Sequence, residues 1–569
     1  MIWALSTLLF VGISTTVSLF LCFFLGSLTK GASIFSLSLG FFLALATFIK
    51  LKDRISPLKK LSYFDWAMVL FFVVFCFRHF LWLIFQVGNS IMALDPSNWG
   101  ELPKHIAYAN YLARGAKFWP EHPLLTGVPF TYHFGIDLFS AMFSHLGFSF
   151  VDYMPVMGFI AGLILIVTLL AWGAGFALGA FLFAGGGLGY SYFFTRDLHD
   201  YQAGKAWTSI VMYLFATQRG FLYALPAGLL LLWSWRRRFF SQDLDSQKKP
   251  LPFIIEGVLW GTMPLFQIQT FLFLSLTFAF WFLTTKKYKT IFIFFVAFLP
   301  ATIEVFLISD HFSKASFIWW NPGWMAKSEN LILFFWGNYG LYLPLAISTF
   351  ILALKIPLRK ERPYVWKQMA PAVFLFVACF FVTFQPWDWD NIKYMMWCYI
   401  LLLPLVYEYV ICRLSITARI LGIGALFIPG FLAVLSMHNP KNRGIEIYGR
   451  ETVDAVCTAL KSVDANRRIA TAKIHNHPAM ICGQPVVVGY TGVLWGEGLK
   501  YTETEQLLTQ MMHGDSNWRT LAHQLKARYL FWGPSEVSEY AGSSKPWEHE
   551  NVKVLAQGAW GKIYDLGDL

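Results

Sequence analysis

The sequence predicts a polytopic α-helical membrane protein of about 13 transmembrane helices, followed by a C-terminal soluble α/β domain. Three observations predict this. The 569 residues are 56% hydrophobic and only 14% charged, whereas ordinary soluble domains carry about 25% charged residues. Apolar runs of roughly 20 residues, the length that crosses a bilayer core, recur from residue 3 to residue 436. From His438 onward the runs stop and a mixed polar composition replaces them.

Taken in order, the spans fall near 3–27, 32–49, 65–87, 153–171, 174–193, 208–234, 252–266, 268–285, 290–309, 329–354, 369–385, 394–411 and 418–436. The first starts almost at residue 1, without a basic leader or a small-residue cleavage site, and reads as a retained helix. The stretch 252–285 is too long for one ordinary helix and has basic loops at both ends. Two short helices joined near Pro264–Gln269 satisfy both facts, and non-helical backbone at that depth must face protein or water.

The net charge of +12 does not point to nucleic acid, because the basic residues are not gathered on one folded surface. They sit in short loops: Lys50, Lys52, Arg54, Lys59 and Lys60; Arg236, Arg237, Arg238, Lys248 and Lys249; Lys286, Lys287 and Lys289; Lys355, Arg359, Lys360, Arg362 and Lys367. Retention of Lys and Arg on the cytoplasmic side puts all these loops, and the N-terminus, in the cytoplasm. The opposite face then collects loops 88–152, 194–207, 310–328 and 386–393 and the tail. Residues 1–436 form the transmembrane domain, with a large first outer loop at 89–152, and residues 437–569 form the soluble domain outside.

In the tail, RRIATA, PVVVGY, ARYLFWG, VKVLAQ and GKIYDL read as strands. ETVDAVCTALKSV and TEQLLTQMM read as amphipathic helices between them, an alternation that suggests a parallel sheet. There is no GxGxxG and no P-loop, so nucleotide binding has no support. The seven cysteines show no metal-ligand spacing. Five lie in or beside spans as apolar packing groups; Cys457 and Cys482 would pair only if the tail lies outside the cytoplasm.

The first outer loop concentrates ionisable chemistry. Glu101 and His105 stand i, i+4 on one face of a helix whose apolar positions, Ile106, Tyr108, Ala109, Tyr111 and Leu112, would lay it along the membrane surface. A carboxylate in a partly dry cleft can act as general base for a hydroxyl nucleophile; the plainer alternative is a solvated charged face. Asp95, before Pro96, is either a second catalytic carboxylate or a turn or capping residue. His133, in TYHFG ahead of a helix with Asp137, is a candidate donor to phosphate or sugar, or a structural histidine.

Four further places stand out. PWDWDNIK at 386–393 packs Asp388, Asp390, Asn391 and Lys393 among tryptophans. Acids with flat apolar faces suit a sugar, and an interfacial aromatic belt accounts only for the tryptophans. Arg219, in or near the outer end of a span, is costly there unless paired or functional, and a guanidinium suits a lipid phosphate. Gln267 and Gln269 sit where the two short helices meet, and Glu304, late in its span, would approach the outer surface.

Together these pieces resemble the GT-C superfamily of membrane glycosyltransferases, which have a multi-helix membrane domain, a large first outer loop with a catalytic acid and often a soluble C-terminal domain. The likeness covers nearly the full chain if the two N-terminal spans are extra. The run WGELPKHIAYANYLARG followed by TYHFG is similar to bacterial members with an acid four residues before a His and a Tyr-His pair downstream. Glu101, His105, Tyr132 and His133 fill those positions, and QRGFLYALP, NPGW, GNYGLYLPL and WDWDNIK add to the likeness. Asp is commoner at the position of Glu101, so both Glu101 and Asp95 remain candidates for the working acid.

The resemblance implies an inverting transfer of sugar from a polyprenyl-phosphate carrier, within the membrane lipid, to an acceptor hydroxyl on a glycan, lipid or protein. It implies no metal and no cofactor, and a bacterial inner membrane with the tail periplasmic or extracellular. Arg219, Lys393 and His133 would stabilise the leaving phosphate. A transporter or flippase, an O-antigen ligase or polymerase, and a non-catalytic assembly protein are the alternatives.

Overall fold

The computed structural model describes residues 1–53, 60–240, 249–310, 318–327, 329–355, 365–439 and 443–567. Of the basic loop residues above, Arg54, Lys59, Lys248, Arg359, Lys360 and Arg362 lie outside the described residues. The protein is a helical membrane protein: among the described residues, eight helices are long and apolar enough to cross a bilayer, or nine if one bent pair is a single span.

α1 (Ile2–Leu25) and α2 (Lys30–Leu51) form an antiparallel hairpin. α3 (Tyr63–Phe80) opens on a capping box between Ser62 and Asp65. It ends earlier than the expected span at 65–87, because β1 (Ile84–Val87) and β2 (Ser90–Ala93) form a hairpin there. α4 (Pro96–Ala113) starts with Pro96 at its first turn, where the missing N–H costs nothing. α5 (Gly135–His145) packs against it. α6 (Phe150–Leu182) covers the expected span 153–171 and only the first half of 174–193, with non-helical backbone at Gly173 and Ala174; past Leu182 the chain leaves the helix and forms a short 3-10 turn at Gly187–Ser191.

The expected span 208–234 is two pieces. A π-helical turn covers Val211–Ala216, and α7 (Phe221–Phe239) follows after a break at 217–220. The apolar run 252–285 is broken as the sequence suggests: α8 (Phe253–Gly261), α9 (Met263–Phe266) and α10 (Ile268–Thr285), with Gln267 extended between the last two. After α11 (Ile291–Ile308), the expected span 329–354 is bent by 98° between α12 (Leu331–Tyr339) and α13 (Tyr342–Lys355). Gly340 takes φ 51°, ψ −134° at the bend, a conformation open to glycine alone. α14 (Val365–Phe381), α15 (Ile392–Tyr409) and α16 (Ile416–Met437) complete the bundle.

β3 (Ile445–Gly449) pairs antiparallel with β2, tying the C-terminal region to the loop 89–152. The second sheet holds β4 (Arg468–Ala470), then, after α17 (Thr491–Gly496), β5 (Ala527–Trp532), β6 (Val554–Gly558) and β7 (Gly561–Asp565), in the order β4-β5-β7-β6. Only β4 and β5 run parallel; β5–β7 and β6–β7 are antiparallel, so the sheet is mixed, not the parallel one expected. PVVVGY forms no full strand, but it runs parallel beside β4, where Ile469 N–H donates to the Pro485 carbonyl at 3.0 Å and Val487 N–H to that of Ile469 at 3.1 Å. Its other edge bonds the loop 89–152: Val486 N–H donates to the Pro123 carbonyl at 2.8 Å and Gly489 N–H to that of Leu124 at 2.8 Å. Cys457 and Cys482 are joined as a disulfide.

This seam changes the setting of α4. The apolar face of the helix packs on protein: Ile106, Tyr108, Ala109 and Leu112 are buried, and α4 is held between α5 and the C-terminal segment Pro478–Ile481. Asn110 Nδ2 donates to the Ile481 carbonyl at 2.7 Å.

Candidate functional site

A cavity of about 720 Å³ opens where the breaks in the bundle meet the outer loop and the C-terminal region. Its walls are the first turns of α4, residues 131–133, the break before α7, the break before α10, the outer end of α11, the loop from Gln385 to Lys393, and Tyr490–Glu497.

The α4 wall follows from helical spacing. Ser97, Gly100, Glu101 and Lys104 lie at i, i+3, i+4 and i+7, one stripe of the helix, and all face the cavity. Lys104 Nζ donates to Glu101 Oε2 at 2.6 Å, and Nζ stands 5.3 Å from the centre of the Tyr132 ring. The Glu101 side chain is 37% exposed. Partial burial would push its carboxyl up, but the Lys104 ammonium, then His105 and Lys393, hold it below the ordinary carboxylate value.

His105 stands behind this stripe. Its Nδ1–H donates to Asp137 Oδ1 at 2.8 Å, and its Nε2 lies 3.9 Å from Glu101 Oε2. The imidazole therefore bridges the cavity carboxylate to a second, fully buried one. It is a positioning group and not a cavity wall, and Asp137 is its anchor.

Arg219 comes from the break before α7. It is 1% exposed, faces the cavity, and its Nε and one terminal nitrogen, Nη2, have no hydrogen-bond partner among the described residues. Gln267 and Gln269 face the same space from the next break, each buried with an unpartnered Oε1. The breaks are held by direct backbone packing. A Cβ on Gly220 would collide with the Phe266 carbonyl, and one on Gly135 would come within 2.7 Å of the Leu265 carbonyl oxygen. Glu304 lies one turn before the end of α11, next to Val305 on the cavity wall. It is fully buried, accepting from Leu265 N–H at 3.2 Å and Thr16 Oγ1 at 3.1 Å, and so it satisfies backbone that the break leaves open.

Not one family model or curated protein matches this chain.

Of the residues singled out in the sequence, the cavity gathers Glu101, Tyr132, His133, Arg219, Gln267, Gln269, Asp390 and Lys393. Asp390 and Lys393 form an ion pair of 2.9 Å on its wall. Asp95, Asp388 and Asn391 lie elsewhere. Asp95 is the N-cap of α4, 2% exposed, accepting from Ser97 N–H at 3.0 Å, Asn98 N–H at 3.1 Å and Asn98 Nδ2 at 2.7 Å; burial pushes its carboxyl up. Asn391 pins its own turn, donating to the Cys379 and Val382 carbonyls at 2.9 and 2.8 Å. Asp388 pairs with Lys327 at 3.2 Å at the protein surface.

The sequence reading passed over Lys104, although it stands i+3 from Glu101, and Glu497, which no local pattern marks. Glu497 Oε1 accepts from Tyr108 Oη at 2.9 Å and Oε2 from His122 Nε2 at 2.9 Å. Among the described residues, no group of three or more His, Cys, Asp or Glu could hold a metal ion. The cavity thus combines an ionised carboxylate, its lysine partner, an unsatisfied guanidinium and two unsatisfied amide oxygens.

Proposed function

We propose that the protein is an inverting glycosyltransferase of GT-C type, taking sugar from a polyprenyl-phosphate carrier and passing it to an acceptor hydroxyl. The observation that carries this reading is the meeting, in one cavity, of Glu101 on α4 with the unpartnered Arg219 from a helix break. Glu101 accepts the acceptor's hydroxyl proton as its oxygen attacks the anomeric carbon. The bond from that carbon to the phosphate oxygen breaks, and the polyprenyl phosphate leaves. Arg219, His133 and Lys393 take up its charge in a site shielded from bulk water. Gln267 and Gln269 accept hydrogen bonds from sugar hydroxyls, and His105, anchored on Asp137, orients Glu101. The chemistry as written uses no metal and no cofactor.

In this reading the chain crosses a bacterial inner membrane about 13 times, with the N-terminus cytoplasmic and residues 437–569 as a soluble domain outside. The positive-inside distribution of basic loops and the Cys457–Cys482 disulfide, a bond of oxidising compartments, support that orientation. The bacterial setting rests on the resemblance of the loop motif.

The test is transfer from radiolabelled polyprenyl-phosphate hexoses by wild type, Glu101→Gln and Asp95→Asn. Transfer should be lost in E101Q and kept in D95N. Full activity in E101Q removes Glu101 as the base, and a wild type that consumes no such donor removes the function. The broken helices around the cavity also occur in transporters. A flippase would move the labelled lipid between leaflets with its sugar–phosphate bond intact, which the same assay reads.

A further inference from the structure

Three aromatic rings at the cavity wall stay substantially exposed, although Trp387 also packs on Trp389 at 4.9 Å and Tyr490 on His475 at 5.9 Å. Trp387, on the loop before α15, is 42% exposed; Tyr490 and Trp495, flanking and within α17, are 42% and 52% exposed. All three line the cavity, and the rings of Trp387 and Trp495 face each other across the seam with centroids 6.0 Å apart. A large aromatic normally gains its stability by burial. Exposure at a membrane surface has its own explanation, the interfacial belt, but a belt does not account for the carboxylate beside these rings: Glu497 anchors their stretch to Tyr108 and His122.

Glu497 supplies the polar half. Two of its lone-pair sites are used by Tyr108 and His122, and a carboxylate has about four. It faces the cavity, and the Lys104 ammonium feels both Glu101 and Glu497, so the C-terminal wall and the base share one neighbourhood. The stretch YTGVLWGE carries one acid and no base. Such a wall suits a ligand with flat apolar faces and many hydroxyls but no negative charge. The unpartnered guanidinium of Arg219 and the amides of Gln267 and Gln269 belong to the membrane helices, the side from which a lipid phosphate arrives.

We propose that Trp387, Tyr490, Trp495 and Glu497 form a binding site for a neutral oligosaccharide, the acceptor of the reaction. The acceptor is then a glycan, not a protein or a lipid. This rests on the glycosyltransferase reading only for the word acceptor, since binding is measured without transfer.

The experiment is saturation-transfer NMR on the full chain in lipid nanodiscs, titrated with mannotetraose, maltotetraose and N-acetylchitotetraose. Wild type should bind at least one of them saturably. Trp495→Ala and Trp387→Ala should each weaken that binding roughly tenfold, about 1.4 kcal/mol, while Trp495→Phe, which keeps a flat ring, should recover most of it. Saturable binding by none of the three, or unchanged binding in both alanine variants, overturns the proposal. A wild type that binds tetrasaccharide but consumes no polyprenyl-linked donor refutes the transferase reading and leaves this site standing. Donor consumption that feeds only a protein or lipid acceptor does the reverse.

Discussion

Replacing Lys104 by Gln should move the acid limb of the pH–rate profile upward. The 2.6 Å contact between Lys104 Nζ and Glu101 Oε2 is the strongest electrostatic feature of the cavity. Two unit charges at that separation attract by about 1.6 kcal/mol even in bulk water, equivalent to about one pH unit. An opposite charge this close shifts a carboxyl by roughly one to three pH units. With the Glu101 side chain 37% exposed, solvent screening favours the lower part of that range. Gln is one bond shorter but keeps a hydrogen-bond donor and removes the charge. The burial that pushes Glu101 up then meets only His105 and Lys393.

The sign follows from the role. A base fails as pH falls through its own value, so lifting that value moves the failure to higher pH. In wild type the limb should lie below the ordinary carboxylate value of about 4.3; in Lys104→Gln it should rise by about one to two pH units. The assay is kcat/KM for labelled donor across the acid range, which reports the free enzyme's base. Stability should follow the same linkage. Because Glu101 is lowered in the folded state, its contribution is present above the unfolded value and lost as pH falls through the folded one. The variant should therefore melt earlier than wild type near neutrality, and the gap should close in acid. A limb that stays in place, or moves to lower pH, refutes the assignment of Glu101 as an ionised base held by Lys104.

Other perturbations separate site from scaffold. Arg219→Gln should lower kcat/KM for donor by roughly 100-fold, the scale of losing a charge-stabilising donor, measured in the same transfer assay. Asp95→Ala should cost about 1–2 kcal/mol of stability as a lost N-cap, read as an earlier thermal transition, with the acid limb unmoved. Cys457→Ser should cost about 3 kcal/mol for a disulfide closing a separation of 25 residues, and reductant should reproduce this in wild type and leave the variant unchanged. Gly220→Ala should cost about 1–3 kcal/mol by overpacking against the Phe266 carbonyl, measured by thermal unfolding.

How legible each part was depends on whether its cause is local. Arg219 and the pair Gln267 and Gln269 announce themselves, because a polar group inside an apolar run needs a reason, and the overlong run 252–285 needs a break. Glu101 and Lys104 sit within one helical turn of each other. The spans at 208–234 and 329–354 misled because hydropathy measures composition, whereas their breaks are set by tertiary packing at Gly220 and a glycine conformation at Gly340. Asp95 and Asn391 are polar for their own backbones, and no spacing separates that from chemistry. Glu497 was invisible: its partner Tyr108 is 389 residues away, and only the seam between outer loop and C-terminal region brings them together.

The way the breaks are held bears on enzyme against transporter. Alternating access rocks or gates one bundle of helices against another around the site. Here the break before α10 is fixed on several sides at once. Gly220 and Gly135 press on its carbonyls, Glu304 binds its Leu265 N–H, and Tyr223 stacks on Phe266 at 4.0 Å while its hydroxyl bonds Thr262 at 2.7 Å. On the other side of the cavity, the outer loop shares backbone hydrogen bonds with the C-terminal region. Movement of either wall would break buried hydrogen bonds and expose close-packed backbone. Groups held this rigidly suit a reaction that needs fixed positions for base and leaving group, and they oppose a gate. In the proposed reading, donor lipid would reach the cavity past Val305 and Ile308 of α11, its apolar margin, and a soluble saccharide would enter from the exposed side of Trp387 and Trp495.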